Sequence, residues 1–353
     1  MRAIEMTRIK SSLVFTSMLS MAALFAGAAQ AADLTIISFG GAIQKAQRAS
    51  YYEPFEKTGA AKIVAGEYNG DMAKIKAMVD TGYVTWDLVE MDGNSLARSC
   101  EEGLIEKLDW SKIPSKKDLM PEAVSECGAG TLVWSAGIAY NADKLTTAPT
   151  SWADFWDLEK FPGKRGLRKS AVHTLEFALL ADGVPKDQVY SVLNTPAGVE
   201  RAFKKLDQIK PSIQWWEAGA QPQQWLAAGD VVMTSAYNGR IKDAQREGMN
   251  LKLVWNQSLF DLDHWAIIRG SKNKALAQQF IEFASNTANQ KVFAGEIAYG
   301  PTNMPAVQSL SPEVTADLPT APANLEQALA TNNEFWLDHA EDLEERFNAW
   351  AAR

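Results

Sequence analysis

The chain has 353 residues, 46% of them hydrophobic and 22% charged, with a net charge of −8 at neutral pH. This length allows two lobes of ordinary domain size. The acidic balance argues against nucleic acid or an anionic membrane surface as a partner.

The first segment is a targeting signal. Arg2, Arg8 and Lys10 give a basic start, an apolar run follows from Leu13 to Ala28, and Ala29-Gln30-Ala31 closes it. This is the layout of a secretory signal peptide cleaved near Ala31. A transmembrane anchor is the competing reading, but the run is rich in Ala and Ser and falls short of the ~20 strongly apolar residues a span needs. Losing residues 1–31 removes three basic residues and Glu5 from totals of 35 and 43, so the charge moves from −8 to about −10.

Short apolar strands then alternate with helical patterns. "DLTIISF" (Asp33–Phe39) predicts a strand, Gly40-Gly41 a turn, and Ala42 to about Lys57 a helix with Ile43, Ala46, Ala49 and Phe55 on its apolar face. "AKIVAGE" predicts a second strand. A helix over Asp71–Asp80 carries Met72, Ile75 and Val79 on one side, and "WDLVEM" is a third strand ending at Asp92-Gly93-Asn94. This βαβαβ order indicates an α/β lobe with a largely parallel sheet. Ligands of such sheets sit at the carboxyl ends of strands, here near Phe39, Tyr68 and Asp92. "GTLVWSAGIAYN" (Gly130–Asn141) is an extended run that reads as a crossover into a second lobe. A helix starts at Thr150 or Ser151, Pro162-Gly163 turns the chain, and helices follow over His173–Asp182 and Pro196–Ile209. "GDVVMTSAYNGR" and "LKLVWN" predict further strands, and "LDHWAIIRG" (Leu262–Gly270) a second crossover. Two α/β lobes joined by two extended crossovers describe a clamshell with its ligand at the hinge.

The two cysteines, Cys100 and Cys127, are expected to pair in an exported protein. The loop they close would contribute roughly 3–4 kcal/mol in the chain-entropy treatment. His173, His264 and His339 show no metal-ligand spacing, so neither a metal nor a cofactor is expected.

Several motifs resemble the periplasmic spermidine/putrescine-binding proteins of ABC importers: "SFGGAIQKAQ", "PTSWADFWDLEKFPGKRGL", "GDVVMTSAYNG", "DHWAIIRGSKNKALAQQFIEFA" and "YGPTN". The resemblance runs from Asp33 to about Pro305. It implies an α/β, two-lobed periplasmic-binding-protein fold of the type II clamshell kind, with lobes over 32–136 plus 266–310 and over 137–265 plus 311–353. It also implies a periplasmic monomer that passes a small amine, a polyamine such as putrescine or spermidine, to an inner-membrane permease. By position it assigns ligand contacts to Phe39, Asp92, Asn94, Tyr237, Asp263 and Tyr299. The pattern departs from that family at three places. The acidic pair of the second lobe is replaced by Ser170 and His173, a tryptophan near the crossover acid becomes Asp261, and Arg240 follows Tyr237-Asn238-Gly239. One cation anchor is thereby lost and one guanidinium gained. A zwitterion such as 4-aminobutyrate, or an opine-like compound, becomes the alternative ligand.

"QWWEAGAQPQQW" (Gln214–Trp225) adds aromatic candidates. Adjacent residues of a strand face opposite sides, so one of Trp215 and Trp216 packs while the other faces the cleft, and Glu217 falls on the side of Trp215. Trp216 and Glu217 are the candidates. Trp134, Trp152, Trp156 and Trp255 read as core, while Trp265, near Asp263 on a crossover, reads as either core or ligand wall. Asp92 reads equally as a helix cap. Asp261 and Asp263 share one face of an extended strand and invite a cation. Asp87 and Glu90 read as structural, and Arg240 reads equally as a solvated surface residue or a ligand contact. An exported hydrolase is the second alternative, because paired carboxylates also cleave glycosides. No G-x-S-x-G motif occurs, however, and no His stands beside a Ser or Cys nucleophile in an identifiable pattern. A sensor or structural subunit is the remaining class.

Overall fold

The computed structural model describes residues 32–353; the expected signal peptide lies outside the described residues. Among the described residues, no helix is long and apolar enough to cross a membrane. One mixed sheet organises the chain, in the order β2-β1-β3-β8-β4-β7-β5-β6. Strands β1 (Ala32–Ser38), β2 (Ala61–Glu67) and β3 (Leu88–Asp92) run parallel at one end. Leu34, Ile36, Leu88 and Val89 are fully buried there, as expected where helices cover both faces.

The centre of the sheet is made of two long strands, β4 (Gly128–Asn141) and β8 (Leu251–Ile267), paired antiparallel. At the far end come β5 (Arg165–Arg168), β6 (Ile213–Trp216) and β7 (Met233–Tyr237), parallel to one another. Strand β8 spans Leu251–Ile267, so the two strands predicted over "LKLVWN" and "LDHWAIIRG" are one. Gln257, at φ 58, takes up the local bend that the sequence suggested was a break. The early part of β8 pairs with the late part of β4, and its last residues pair with β3. Both strands thus run through the two halves of the molecule, and register shifts at Gly130/Leu132 and Ala136/Ile138 bend their ladder. The fold is the expected two-lobed α/β architecture. Two-residue strands β9 (Gly300–Pro301) and β10 (Leu329–Ala330) flank β4 and β8.

The helix predicted after β1 is interrupted. A π turn over Arg48–Tyr52 separates helices Gly41–Gln47 and Glu53–Lys57. The wider turn shifts the inward face by one residue. Ala49, predicted to be apolar-facing, is exposed, while Ser50, Tyr51 and Tyr52 point inward. In the helix Ala73–Thr81 the predicted Ile75 is buried, joined by Met78, while the predicted Met72 and Val79 are half-buried and pack against the same cluster. Trp152 and Trp156 lie in the core as expected, Trp152 stacked on Phe177 with ring centroids 3.8 Å apart. Trp255 is only half-buried, a correction that follows from its place on the solvated stretch of β8. Arg165 is fully buried; its guanidinium donates to the carbonyls of Phe155 (2.6 Å) and Gly163 (2.9 Å), pinning the Pro162-Gly163 turn.

Cys100 and Cys127 are bonded, with Cα atoms 5.8 Å apart, and tie the helix Gly93–Glu101 to the start of β4. The C-terminal helix Asn333–Ala351 touches both halves. Glu341 pairs with Arg98 at 3.5 Å, while Phe347 and Trp350 pack on Trp215.

Candidate functional site

Strand register builds the site. Asp92, last in β3, is directly opposite Asp263 in antiparallel β8. Opposed residues of such a pair share a face, and like charges there are destabilising unless something answers them. Asp261, two residues before Asp263, lies on the same face, as its spacing predicted. At the other end of the sheet, Arg168, last in β5, is the direct partner of Trp216, last in β6. Tyr237 ends β7, and Arg240 follows in the first turn of the helix Asn238–Arg246.

These strand ends enclose one cavity of about 250 Å3, lined by all ten residues singled out from the sequence: Phe39, Asp92, Asn94, Trp216, Glu217, Tyr237, Arg240, Asp261, Asp263 and Tyr299. The aromatic residues form its frame. Phe39 stacks on Tyr68 at 5.2 Å. Tyr237 takes Trp134 edge-on at 5.3 Å and Trp216 at 5.8 Å. Trp216 is buried, its indole donating to the Ser235 hydroxyl at 3.1 Å. Trp215 faces the C-terminal helix, so the expected split of the pair holds.

The acidic wall is under electrostatic load. Burial, with the charges of Glu90 and Asp92, pushes the Asp263 carboxyl well above its ordinary range, against the Trp134 indole that donates to it at 2.8 Å. Burial, helped by Asp92, raises Asp261 to about 7, although the Leu262 amide (2.7 Å) and the Asn333 amide (3.2 Å) donate to it. Glu90, behind the wall, is raised by burial to about 7; Gln47 donates to it at 2.9 Å. Asp92 is both cap and wall: it accepts from the Ser95 amide at 2.8 Å and lines the cavity.

The opposite wall is cationic. Arg168 donates to the Tyr237 hydroxyl at 3.2 Å. Tyr237, then Asp92, Glu344 and Asp263, hold its guanidinium charged against the cost of burial. Arg240 is only 5% exposed, which removes the surface reading; it donates to the carbonyls of Phe39 (3.1 Å) and Gly40 (3.3 Å). His173 and Ser170, at the positions of the lost acidic pair, line the cavity too. Burial, then Arg168, depresses His173 to about 3, so it stays neutral.

Two details differ from expectation. Glu217 shares the cavity with Trp216 rather than siding with Trp215, because β6 ends at Trp216 and the chain turns. It sits at an exposed rim, 3.2 Å from Lys169. Trp134, read as core, does lie in the core but also borders the cavity. Arg168 and Glu344 were not anticipated at all. Arg168 had a usable signal, its place at the carboxyl end of a strand. Glu344 had none: it arrives from the C-terminal helix and accepts from Ser170 and from the Ala171 amide at 3.0 Å.

Two α/β halves enclosing a charged, aromatic-framed cavity at their crossover strands define a ligand-binding clamshell. The chain belongs to the family of bacterial extracellular solute-binding proteins, whose profile matches residues 50–323. It is 57% identical, over 342 residues, to the gamma-aminobutyric acid-binding protein of Pseudomonas aeruginosa, covering 96% of this chain and 97% of that one. The solved structure of a GABA receptor superposes with a TM-score of 0.80 at 36% identity, covering 91% of this chain and 98% of that chain. The protein AgtB of A. tumefaciens R10, solved with agropinic acid, gives 0.85 at 33% identity, covering 91% and 99%. Spermidine/putrescine-binding relatives match more distantly, at 29% identity for that of Salmonella typhimurium over 75% of this chain and 77% of that one. The polyamine resemblance therefore gives the family correctly and is weak as a guide to the ligand. With its relatives and neighbours solute-binding proteins, the chain is not an enzyme, and the hydrolase alternative falls.

Proposed function

We propose that the protein is the periplasmic receptor of an ABC importer for 4-aminobutyrate or a close ω-amino acid. The protein, a monomer, would hold its ligand between lobes formed by 32–136 with 266–310 and by 137–265 with 311–353, and pass it to the inner-membrane permease. The observation that carries the reading is the pairing of opposite walls: Asp92, Asp261 and Asp263 share one small cavity with Arg168 and Arg240. A carboxylate is the natural partner of a guanidinium, and an ammonium that of a desolvated carboxylate. Asp263 and Asp261 take the ammonium, Arg240 and Arg168 the carboxylate, and Phe39, Trp216, Tyr237 and Tyr299 enclose the methylene chain. Asn94 and Glu217 lie at the edges.

A diamine fits less well. Its second ammonium would face Arg168, Arg240 and a neutral His173, with Glu344 already engaged by Ser170 and Ala171. The 57% identity to a gamma-aminobutyric acid-binding protein supports the same choice. The cavity of about 250 Å3 suits a short chain better than a bulky opine. Calorimetric titration with 4-aminobutyrate and with putrescine tests it. We expect micromolar or tighter binding of the first and none of the second. A protein that takes putrescine and ignores 4-aminobutyrate would reverse the assignment.

A further inference from the structure

Arg240 does more than line the cavity. It belongs to the half built on β7, yet its Nη2 donates to the carbonyls of Phe39 and Gly40, at the end of β1 in the other half. It lies in a slot made by two glycines, one from each side. A Cβ at Gly41 would stand 2.7 Å from Nη1, and one at Gly219 would stand 2.8 Å from Nε. Gly41, at φ 59, is also in a conformation that favours glycine. The guanidinium has five N–H donors in a rigid fork. Both inter-lobe bonds come from Nη2, and the side chain borders the cavity as well.

We propose that Arg240 couples recognition to closure: one face of its guanidinium receives the ligand carboxylate while Nη2 clasps the Phe39–Gly40 turn of the opposite lobe. This rests on the ω-amino acid reading above and extends it. A carboxylate accepting from Nη1 fixes the fork in the plane that the two carbonyls need. A ligand that reaches only the acidic wall leaves the fork free to swing. Discrimination against diamines then comes from failed closure as well as from failed binding, since a ligand shifts a conformational equilibrium only through differential contacts with its two states. Lysine, a point charge on a flexible stem, cannot serve both partners at once.

The test pairs calorimetry with small-angle scattering on the full mature chain, with 4-aminobutyrate as the probe. The parent is expected to bind and compact. Arg240→Lys is expected to bind about tenfold or more weakly and to stay expanded even at saturating ligand. Gly219→Ala, which crowds Nε without removing the arginine, is expected to weaken compaction in the same direction, and it decides the matter if Arg240→Lys does not fold. Compaction of Arg240→Lys, or of Gly219→Ala where the lysine variant does not fold, to the parent's dimensions overturns the coupling alone. Failure of the parent to bind 4-aminobutyrate overturns the ligand reading and the coupling with it.

Discussion

On one side of the cleft Asp92 and Asp263 lie opposite each other across β3 and β8, with Asp261 beside them and Glu90 behind. On the other side Arg168 and Arg240 reach neutral oxygens, the Tyr237 hydroxyl and the Phe39 and Gly40 carbonyls. The acids are crowded with like charges, while the guanidiniums donate to neutral oxygens and Arg168 is also held charged by Asp92, Glu344 and Asp263 without a bond to any of them. The ion pairs of the described residues lie instead on or near the surface, such as Lys160–Asp154 and Arg201–Asp182. Opposite charges placed in one cavity but kept from pairing are available to a ligand carrying both signs. A protein that paired them internally would have to break a bridge before binding anything, at a cost of about 3–5 kcal/mol.

The comparison of walls can be broken most forcefully at Asp263. Asp263→Asn keeps the shape and the Trp134 hydrogen bond but removes the charge. A loss of on the order of 3–5 kcal/mol in 4-aminobutyrate affinity is expected by calorimetry, with the fold intact by circular dichroism. Near-parental binding would move the ammonium to Asp261 or Asp92. A smaller effect comes from pH. The Asp261 carboxyl, raised by burial from 3.8 to about 7, is favoured in its neutral form by the folded state. The unliganded protein should therefore lose stability as pH rises through that window. The ligand ammonium prefers the ionised form, so its affinity should rise over the same range and weaken by up to roughly tenfold for each pH unit below about 7, per proton displaced. A flat titration between about pH 5.5 and 8 would remove Asp261 from the acid wall's chemistry.

Glu176 supplies a control with no part in the cleft. Burial raises it from 4.5 to about 7, and it accepts from Trp336 (2.7 Å) and Tyr190 (3.0 Å), anchoring the C-terminal helix. Its folded pKa is also raised, so its ionisation likewise costs stability as pH rises from 4.5 towards 7 and beyond. Glu176→Gln should gain on the parent by a few degrees in Tm between about pH 5 and 8, and leave ligand affinity unchanged. A change in affinity instead would join the two regions that this comparison separates.

Much of this arrangement is legible in the sequence, because it is written in strand ends. Phe39, Asp92, Tyr237 and Asp263 each close or border an apolar run, and the alternation of strands and helices orders them around a hinge. Arg168 is less visible because β5 is only four residues long and its neighbours β6 and β7 lie tens of residues away. Trp134 reads as core because a tryptophan in an apolar run usually is. Only its register against Asp261 and its bond to Asp263 bring it to the cavity wall as well. Glu344 depends on how a helix some 170 residues later in the chain docks, which no local pattern encodes. The π turn escapes for a related reason: the inserted residue is betrayed only by which side chains end up inside.

The uninterrupted passage of β4 and β8 through both halves has a consequence for how the chain folds. Neither half owns its central strands, so a fragment cut at the crossovers would expose long unpaired edges rich in Val, Ile and Leu, open to pairing with other chains. Two lobes in shape are therefore one unit in cooperativity. Melting should proceed as a single transition, and β1 and β10, which join the same sheet from early and late in the described residues, should fail together with the middle.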